Sequence, residues 1–334
     1  MAECVMSSDR TSVVVSKRDA GGFEYPFAAS CHPGREVTEQ RTLAWVRRLR
    51  LVPDGRSLSR LKATNFSHLA AWLLPSASTQ TLQLASDFTA VLFLLDDAYD
   101  EGQLSTDPES VEWLNEKYLG ELFGYTEADM SDPLTRGMLD VRERIRRSHP
   151  HFFLNRWLSH FQYYYEANLW EANNRKQMRV PHLEEYLMMR RYSGAVYTYC
   201  DLLELLLERP LPLEVVQHPL IQTVRDICND ILCWTNDYFS LGKELTNGET
   251  HNLIVVLRNE CVSTLEEAID RLKDMHDRRV AEYQGVKEKV LALWADDEIR
   301  LYLDAVEAMI AGNQRWALEA GRYSGLESLI VRAG

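Results

Sequence analysis

A dense group of acidic residues closes an apolar run in the first third of the chain. Residues 92–102 read LFLLDDAYDEG and place four carboxylates within six positions, those of Asp96, Asp97, Asp100 and Glu101. On a helix, like charges one turn apart repel each other, and carboxylates near the C-terminus oppose the helix dipole. The cluster alone leaves two interpretations open: a solvated acidic helix end, or a site for hard divalent cations that take oxygen ligands.

A second group of oxygen-bearing side chains lies in the stretch NDYFSLGKE, residues 236–244. Asn236, Ser240 and Glu244 are four residues apart, so each step turns about 40° and the three form a row along one side of a helix. An amide, a hydroxyl and a carboxylate suit Mg²⁺, which keeps waters and shares its ligands with phosphate groups. Neither group contains His or Cys, which argues against zinc. Lys243 would supply a cation beside a bound phosphate.

Together the two motifs are similar to the metal-binding motifs of class I terpene synthases (terpene cyclases) of the microbial type. The aspartate-rich motif would be Asp96-Asp97-Ala98-Tyr99-Asp100, and the motif N-D-x-x-S-x-x-x-E would be Asn236, Asp237, Ser240 and Glu244. The resemblance spans roughly residues 25–325. It includes four shorter matches: PF at 26–27, WEANNR at 170–175, HNL at 251–253 and RY at 322–323.

This resemblance implies a single all-α domain, a helical bundle around a central active-site cavity, in which three Mg²⁺ ions assist the ionisation of an allylic diphosphate. The metal ligands that it implies are Asp96, Asp100, Asn236, Ser240 and Glu244. The diphosphate donors that it implies are Arg190, Lys243, Arg322 and Tyr323. Asp97 would bind an arginine that responds to the arriving diphosphate.

The stretch MRRYSGAVY is similar to the family's trio of a diphosphate-sensing arginine, a linker three residues later and an effector glycine. The trio would be Arg190, Ser193 and Gly194, which with Tyr197 share one face of a continuous helix. A glycine inside a helix costs about 1 kcal/mol relative to alanine, so its presence predicts a close approach of the ligand to the backbone. Ser193 departs from the Asp or Thr common at the linker, and Arg191 leaves the arginine ambiguous by one position.

The resemblance also implies a pocket that holds a carbocation against aromatic faces, whose quadrupole attracts cations. Phe93 and Trp316 match positions at which the family lines this pocket. Phe88 and Tyr197 are weaker candidates, for which an ordinary place in the core is an open alternative. Glu171, in the WEANNR match, would form a supporting hydrogen bond or lie exposed on its helix.

Helices must position these side chains, because apolar residues recur at helical spacing in long blocks without a convincing strand pattern. The spacing predicts helices at about 37–49, 80–100, 110–121, 134–147, 152–173, 183–207, 219–245, 250–260, 264–291 and 296–320. Segments rich in Pro, Gly and polar residues separate them. We expect a polar, poorly ordered tail at residues 1–24 and one catalytic domain at 25–334.

Composition and charge exclude several classes of function. A net charge of −13 argues against nucleic-acid binding, which favours a basic face. No apolar run approaches the roughly 18 residues of a membrane span, and the first residues lack the apolar core of a signal peptide. Six scattered cysteines without a C-x-x-C pair indicate reduced thiols and a cytoplasmic protein.

The sequence thus predicts Mg²⁺-dependent ionisation and cyclisation of a linear prenyl diphosphate, with release of diphosphate and formation of a terpene hydrocarbon or alcohol. Farnesyl diphosphate is the expected substrate, and geranyl and geranylgeranyl diphosphates are alternatives. A chain-elongating prenyltransferase would carry an aspartate-rich motif on both helices, and a non-catalytic helical interaction protein would not need the intact metal positions. A monomer and a homodimer are both compatible with the sequence.

Overall fold

Helices dominate the computed structural model, which describes residues 22–100, 104–207, 210–261 and 264–320. No strand occurs within these ranges, and the prediction of an all-α fold is confirmed. In chain order the α-helices are α1 (Arg35–Arg48), α2 (Gly55–Ala63), α3 (Phe66–Leu73), α4 (Thr79–Asp100), α5 (Pro108–Phe123), α6 (Pro133–Ser148), α7 (His151–Lys176), α8 (Leu183–Ser193), α9 (Val196–Leu202), α10 (Leu213–Val216), α11 (Pro219–Asn247), α12 (Leu253–Cys261), α13 (Leu265–Leu293) and α14 (Asp297–Glu319). Two short 3-10 helices are Leu104–Thr106 and Leu203–Leu206.

Local sequence signals set where these helices begin and end. Asp132 precedes Pro133 at the start of α6, and its Oδ1 accepts a hydrogen bond from the Leu134 N–H at 2.8 Å. Proline fits the first helical position because the N–H that it lacks would have no partner within the helix there. At its other end, α11 is capped by Gly248, whose φ of +71° is a left-handed conformation that glycine adopts without steric cost. This turn sends the chain back toward the last turns of α11.

Each of the two helices that carry the metal motifs buries one apolar stripe at helical spacing. On α4 the buried stripe consists of Leu84, Phe88, Val91, Leu92 and Leu95. On α11 it consists of Ile221, Val224, Cys228, Ile231, Leu232 and Phe239. α4 packs against α1, α3 and α6, whereas α11 packs against α8, α9, α12, α13 and α14. Both motif helices are therefore held from several sides, and their polar edges are left to face a cavity.

The prediction of one helix at 183–207 is wrong. α8 ends at Ser193, Gly194 follows it, and Ala195 adopts a left-handed φ of +53° before α9 begins. A left-handed residue other than glycine costs on the order of 1–2 kcal/mol. Hydrogen bonding supports it here, since the Ala195 carbonyl accepts from Thr198 Oγ1 at 2.6 Å. Apolar periodicity continues through the break, and the sequence pattern therefore carries no sign of it.

Cys31, Cys200, Cys228 and Cys233 are free thiols. Among the helices of the described ranges, none is long and apolar enough to cross a membrane. The sequence pattern does not predict the short helices α2, α3 and α10. A helix of only one to three turns is too short to show a clear apolar periodicity.

Candidate active site

A cavity of about 700 Å³ lies between α4, α7, α8, α11 and α14. Its polar lining includes Asp96, Asp97, Asn236, Ser240, Lys243 and Glu244. Its apolar lining includes Leu69, Leu73, Leu92, Phe93, Leu232 and Trp316. The two predicted motifs therefore reach one cavity from different helices, and the volume falls in the range of small-molecule sites.

The row on α11 lines this cavity as its spacing predicts. The Ser240 Oγ is buried at this wall, next to the Glu244 carboxylate. Glu244 Oε2 accepts a hydrogen bond from Asn252 Nδ2 at 2.8 Å. Burial, together with the nearby Asp237 carboxylate, raises the pKa of Glu244 to about 7. A buried hydroxyl and a carboxyl whose pKa is raised both suit a wall that receives a cation.

The donor set of this wall fits a hard divalent cation. Asn236, Ser240 and Glu244 each offer oxygen, and the row contains neither sulfur nor imidazole. In the part of the chain that the structure describes, no group of three or more His, Cys, Asp or Glu side chains could hold a metal ion by itself. A metal ion here would therefore complete its shell with the amide, the hydroxyl, water and a bound substrate.

Arg190 of α8 faces the metal row. Its Nη2 donates to Asn236 Oδ1 at 2.9 Å, and its Nη1 donates to Ser193 Oγ at 3.4 Å. Its Nε donates to Asp237 Oδ1 at 3.0 Å. The other oxygen of this buried carboxylate accepts from the Tyr186 hydroxyl at 2.7 Å. Asp237 therefore orients the guanidinium beside the cavity, because a charged pair that is fully hydrogen-bonded has few alternative geometries.

The neighbouring Arg191 points away from the cavity. Its Nε and Nη2 donate to the two oxygens of Asp230 at 2.7 and 2.8 Å. Tyr197 also lies outside the cavity lining, and its hydroxyl donates to Asp226 at 2.8 Å. The predicted face that Tyr197 shares with the arginine trio is therefore wrong, because the break after Gly194 rotates α9 relative to α8. Of the two arginines, Arg190 is the one that lines the cavity.

Gly194 lines the cavity at the end of α8, and Cys233 of α11 packs directly against it. The Cys233 thiol donates to Asn229 Oδ1 at 3.2 Å. Burial raises the pKa of Cys233 to about 12, so the thiol stays neutral at physiological pH. The expected position of Gly194 inside a helix is thus wrong, and the reason for the glycine lies in its contact with α11.

The aromatic candidates divide between the cavity and the core. Phe93 and Trp316 both line the cavity, and their ring centroids are 6.0 Å apart. The Trp316 Nε1–H donates to the Asn65 carbonyl at 3.0 Å, which sets the position of the indole. Phe88 is buried outside the cavity lining and packs on Trp157, with ring centroids 5.4 Å apart. The pocket interpretation of Phe88 is therefore wrong.

Tyr199 lines the cavity although no motif in the sequence predicts it. It follows the unpredicted break, and its hydroxyl hydrogen-bonds Thr89, which also lines the cavity. Thr89 Oγ1 donates to the Ala85 carbonyl at 2.7 Å, so the Tyr199 hydroxyl is the donor toward Thr89. Burial raises the pKa of Tyr199 above its usual value and keeps it neutral.

The structure describes only some of the remaining residues that the sequence predicts for the site. Lys243 lines the cavity and is exposed, and Glu171 lines it while its carboxylate lies 3.3 Å from Arg175 Nη2. Asp97 Oδ2 lies 3.3 Å from Nη2 of Arg60 in α2. Arg322, Tyr323 and the side chain of Asp100 lie outside the described residues.

Comparison with known proteins identifies the family. The model of the terpene synthase family 2, C-terminal metal binding, matches residues 87–282, a span that contains the acidic end of α4 and the row on α11. The chain belongs to the terpene synthase family. It is therefore a lyase with a metal-binding domain, and the family predicted from the two motifs is confirmed.

Relatives of this terpene synthase match it over most of their lengths. It is 34% identical over 305 residues to the (+)-T-muurolol synthase ((2E,6E)-farnesyl diphosphate cyclizing) of Roseiflexus castenholzii, with 90% of this chain and 92% of the relative covered. It is 30% identical over 311 residues to the germacrene A synthase of Nostoc punctiforme, with 92% and 96% covered. The crystal structure of germacradien-4-ol synthase from Streptomyces citricolor matches with a TM-score of 0.77 at 26% identity, covering 94% of this chain and 100% of that one.

Proposed function

We propose that this terpene synthase ionises and cyclises farnesyl diphosphate in a Mg²⁺-dependent reaction that releases diphosphate and forms a cyclic terpene hydrocarbon or alcohol. One observation carries the proposal: the oxygen donors of α11 and Asp96 of α4 line the same cavity as Phe93 and Trp316. A cavity with a polar wall for metals and diphosphate and an apolar wall for a hydrocarbon suits a prenyl diphosphate. The farnesyl substrate is supported by the relative from Roseiflexus, whose name describes it as farnesyl diphosphate cyclizing.

The residues that would hold Mg²⁺ are Asp96, Asp100, Asn236, Ser240 and Glu244, and the resemblance to the family implies three ions. When bound, Mg²⁺ neutralises the charge on the diphosphate oxygens and makes the diphosphate a better leaving group. The buried Ser240 hydroxyl, which lines the cavity beside Glu244, supports this assignment.

Arg190 and Lys243 would donate hydrogen bonds to the diphosphate, and Arg322 and Tyr323 are the further donors that the resemblance implies. Arg190 is already oriented by Asp237, so little side-chain entropy is lost when a phosphate oxygen arrives. Lys243 is exposed at the cavity. Its ammonium group would attract the diphosphate as a flexible positive charge, whereas the planar guanidinium of an arginine holds its donors in a fixed geometry.

The hydrocarbon part would react against walls that attract a cation without bonding to it. Phe93 and Trp316 offer aromatic faces, each worth up to about 2 kcal/mol to a desolvated cation. The Cys233 thiol and the Tyr199 hydroxyl are both neutral, so neither offers an anionic nucleophile to the cation.

A monoterpene or diterpene synthase acting on geranyl or geranylgeranyl diphosphate is the main alternative, because chain length depends on cavity depth. A chain-elongating prenyltransferase is disfavoured by the Asn and Ser positions of the second motif. The cytoplasmic location and the monomeric or homodimeric state stay predictions.

Incubation of the purified protein with each of the three prenyl diphosphates and Mg²⁺, followed by gas chromatography with mass spectrometry, tests the proposal. We expect cyclic C15 products from farnesyl diphosphate and a lower specificity constant for the other two. Cyclic products from another chain length alone would correct the substrate, and diphosphate release without cyclic products from any of them would overturn the proposal.

A further inference from the structure

Asn252, in the HNL stretch, contacts the last member of the metal row. Its side chain is fully buried. Its Nδ2 donates to Glu244 Oε2 at 2.8 Å and to the Asp237 carbonyl at 2.7 Å. Its Oδ1 accepts from the Ile254 N–H at 2.9 Å, in the first turn of α12. One amide thus joins the metal-facing end of α11 to the start of the following helix.

These three partners allow one orientation of the amide. A flip would turn Oδ1 toward the Asp237 carbonyl and the Glu244 carboxylate, both of which are acceptors. The NH₂ group would then face the Ile254 N–H, which is a donor. The Asn252 amide therefore presents an N–H to Glu244 in any well-bonded arrangement of this site.

The loop that precedes Asn252 is bonded to α7. Glu249 Oε1 accepts from the Thr250 N–H at 2.8 Å and from His251 Nδ1 at 2.6 Å, while Oε2 accepts from Arg175 Nε at 2.9 Å. Because His251 Nδ1 donates to Glu249, its Nε2 is free to accept in the neutral tautomer, and Asn174 Nδ2 lies 3.1 Å from it. The WEANNR and HNL stretches, for which the metal motifs alone give no role, therefore meet at this loop.

We propose that Asn252 is a positioning residue that holds the Glu244 carboxylate in its metal-binding geometry, and that the loop Glu249–His251, bonded to α7, holds Asn252. The proposal rests on the proposed function, because it takes Glu244 as a Mg²⁺ ligand. A hydrogen bond to Oε2 orders a long, flexible side chain before the cation arrives and leaves Oε1 for the metal. Removing such a bond from a metal ligand weakens metal affinity about 10- to 100-fold in other sites.

The test separates this role from the capping role of the same side chain. In Asn252→Ser the hydroxyl still reaches the Ile254 N–H but is too short to reach Glu244 or the Asp237 carbonyl, whereas Asn252→Ala loses all three contacts. Thr264→Ala is the matched control, because it removes a helix cap from α13 far from the metal row. For each protein the melting temperature is measured at saturating inorganic diphosphate while MgCl₂ is titrated, and the Mg²⁺ concentration at half of the full shift is recorded.

We expect Asn252→Ser and Asn252→Ala to raise this Mg²⁺ midpoint at least about tenfold. Thr264→Ala should lower the melting temperature of the ligand-free protein and leave the midpoint unchanged. A lowered melting temperature with an unchanged midpoint in Asn252→Ser would overturn the proposal, because it would reduce Asn252 to a structural cap.

A second variant covers the case in which the Asn252 variants do not fold. Glu249→Gln keeps the size of the side chain but weakens its bonds to Arg175 and His251, so it should raise the midpoint in the same direction by a smaller factor. An unchanged midpoint in Glu249→Gln would overturn the role of the loop. The proposed function fails separately, if the wild-type protein shows no joint stabilisation by Mg²⁺ and diphosphate.

Discussion

Gly194 and Cys233 approach each other so closely that a Cβ added at residue 194 would clash with the Cys233 Sγ. The next nearest atom, the Arg190 carbonyl oxygen, would be 3.4 Å away, at the edge of ordinary contact. Gly194 has a φ of −73°, which alanine adopts freely. Residue 194 is therefore restricted to glycine by the space that a thiol of α11 occupies, and not by its backbone conformation.

This contact predicts a compensating pair of substitutions. Gly194→Ala should cost about 1–3 kcal/mol of stability through overpacking and should lower turnover by displacing the end of α8. Adding Cys233→Ala to this variant should restore most of the lost stability and most of the lost turnover, because it removes the sulfur atom that clashes with the new Cβ. Unfolding free energies and kcat for the two single variants and the double variant measure the coupling.

Cys228→Ala is the matched control for this cycle, since it deletes another buried thiol of α11 that is not among the atoms nearest to residue 194. It should not rescue Gly194→Ala. The steric explanation is wrong if the double variant of Gly194 and Cys233 has the same unfolding free energy and kcat as Gly194→Ala alone.

The two adjacent arginines should behave differently when each is changed to lysine. Arg190→Lys should reduce kcat by about 100-fold, because a point charge cannot replace the fork that spans Asp237 and Asn236 and that we propose donates to the diphosphate. Arg191→Lys should keep near wild-type turnover with a modest loss of stability, because Arg191 bonds Asp230 outside the cavity. Steady-state release of diphosphate measures kcat for both variants. An equal loss of kcat in the two variants would contradict the different roles proposed for Arg190 and Arg191.

The metal positions should be needed for turnover and not for folding. Asp96→Asn and Glu244→Gln should each reduce kcat by about 100-fold or more, since each replaces the carboxylate of a proposed Mg²⁺ ligand by an amide of the same size. The helical circular dichroism should not change. Glu112→Gln, on the exposed side of α5, is the control and should keep full activity. Near wild-type activity in either metal variant at ordinary Mg²⁺ would remove that residue from the site.

Two phenylalanines of α4 provide a matched test of the pocket. Phe93→Leu should keep the fold and divert products toward earlier, less cyclised compounds, including alcohols, because it removes an aromatic face worth up to about 2 kcal/mol to a cation. Phe88→Leu should cost about 1 kcal/mol of stability and leave the product profile unchanged, because Phe88 packs in the core. Gas chromatography of the products together with thermal unfolding compares them. An unchanged product profile in Phe93→Leu would show that Phe93 only packs in the core and does not steer the cation.

Several features of the site follow from the sequence because they are local to one helix. Helical geometry sets the angle between residues four apart, so Asn236, Ser240 and Glu244 had to share one side of α11 wherever that helix packed. The same rule places Asp96 and Phe93 on neighbouring sides of α4, and both line the cavity. The all-helical fold, the buried stripes and the family could therefore be predicted from spacing and motifs alone.

Contacts between helices were decided by the tertiary structure. The reason for a glycine at residue 194 depends on where Cys233 of α11 lies, and the choice between Arg190 and Arg191 depends on which carboxylates α11 presents. The cavity role of Tyr199 depends on the helix break at Ala195. Asn252 lies only eight residues after Glu244, yet it reaches that carboxylate because the turn at Gly248 reverses the chain. Periodicity specifies directions around a single helix axis, whereas the partner met in each direction is set by the packing of all the helices together.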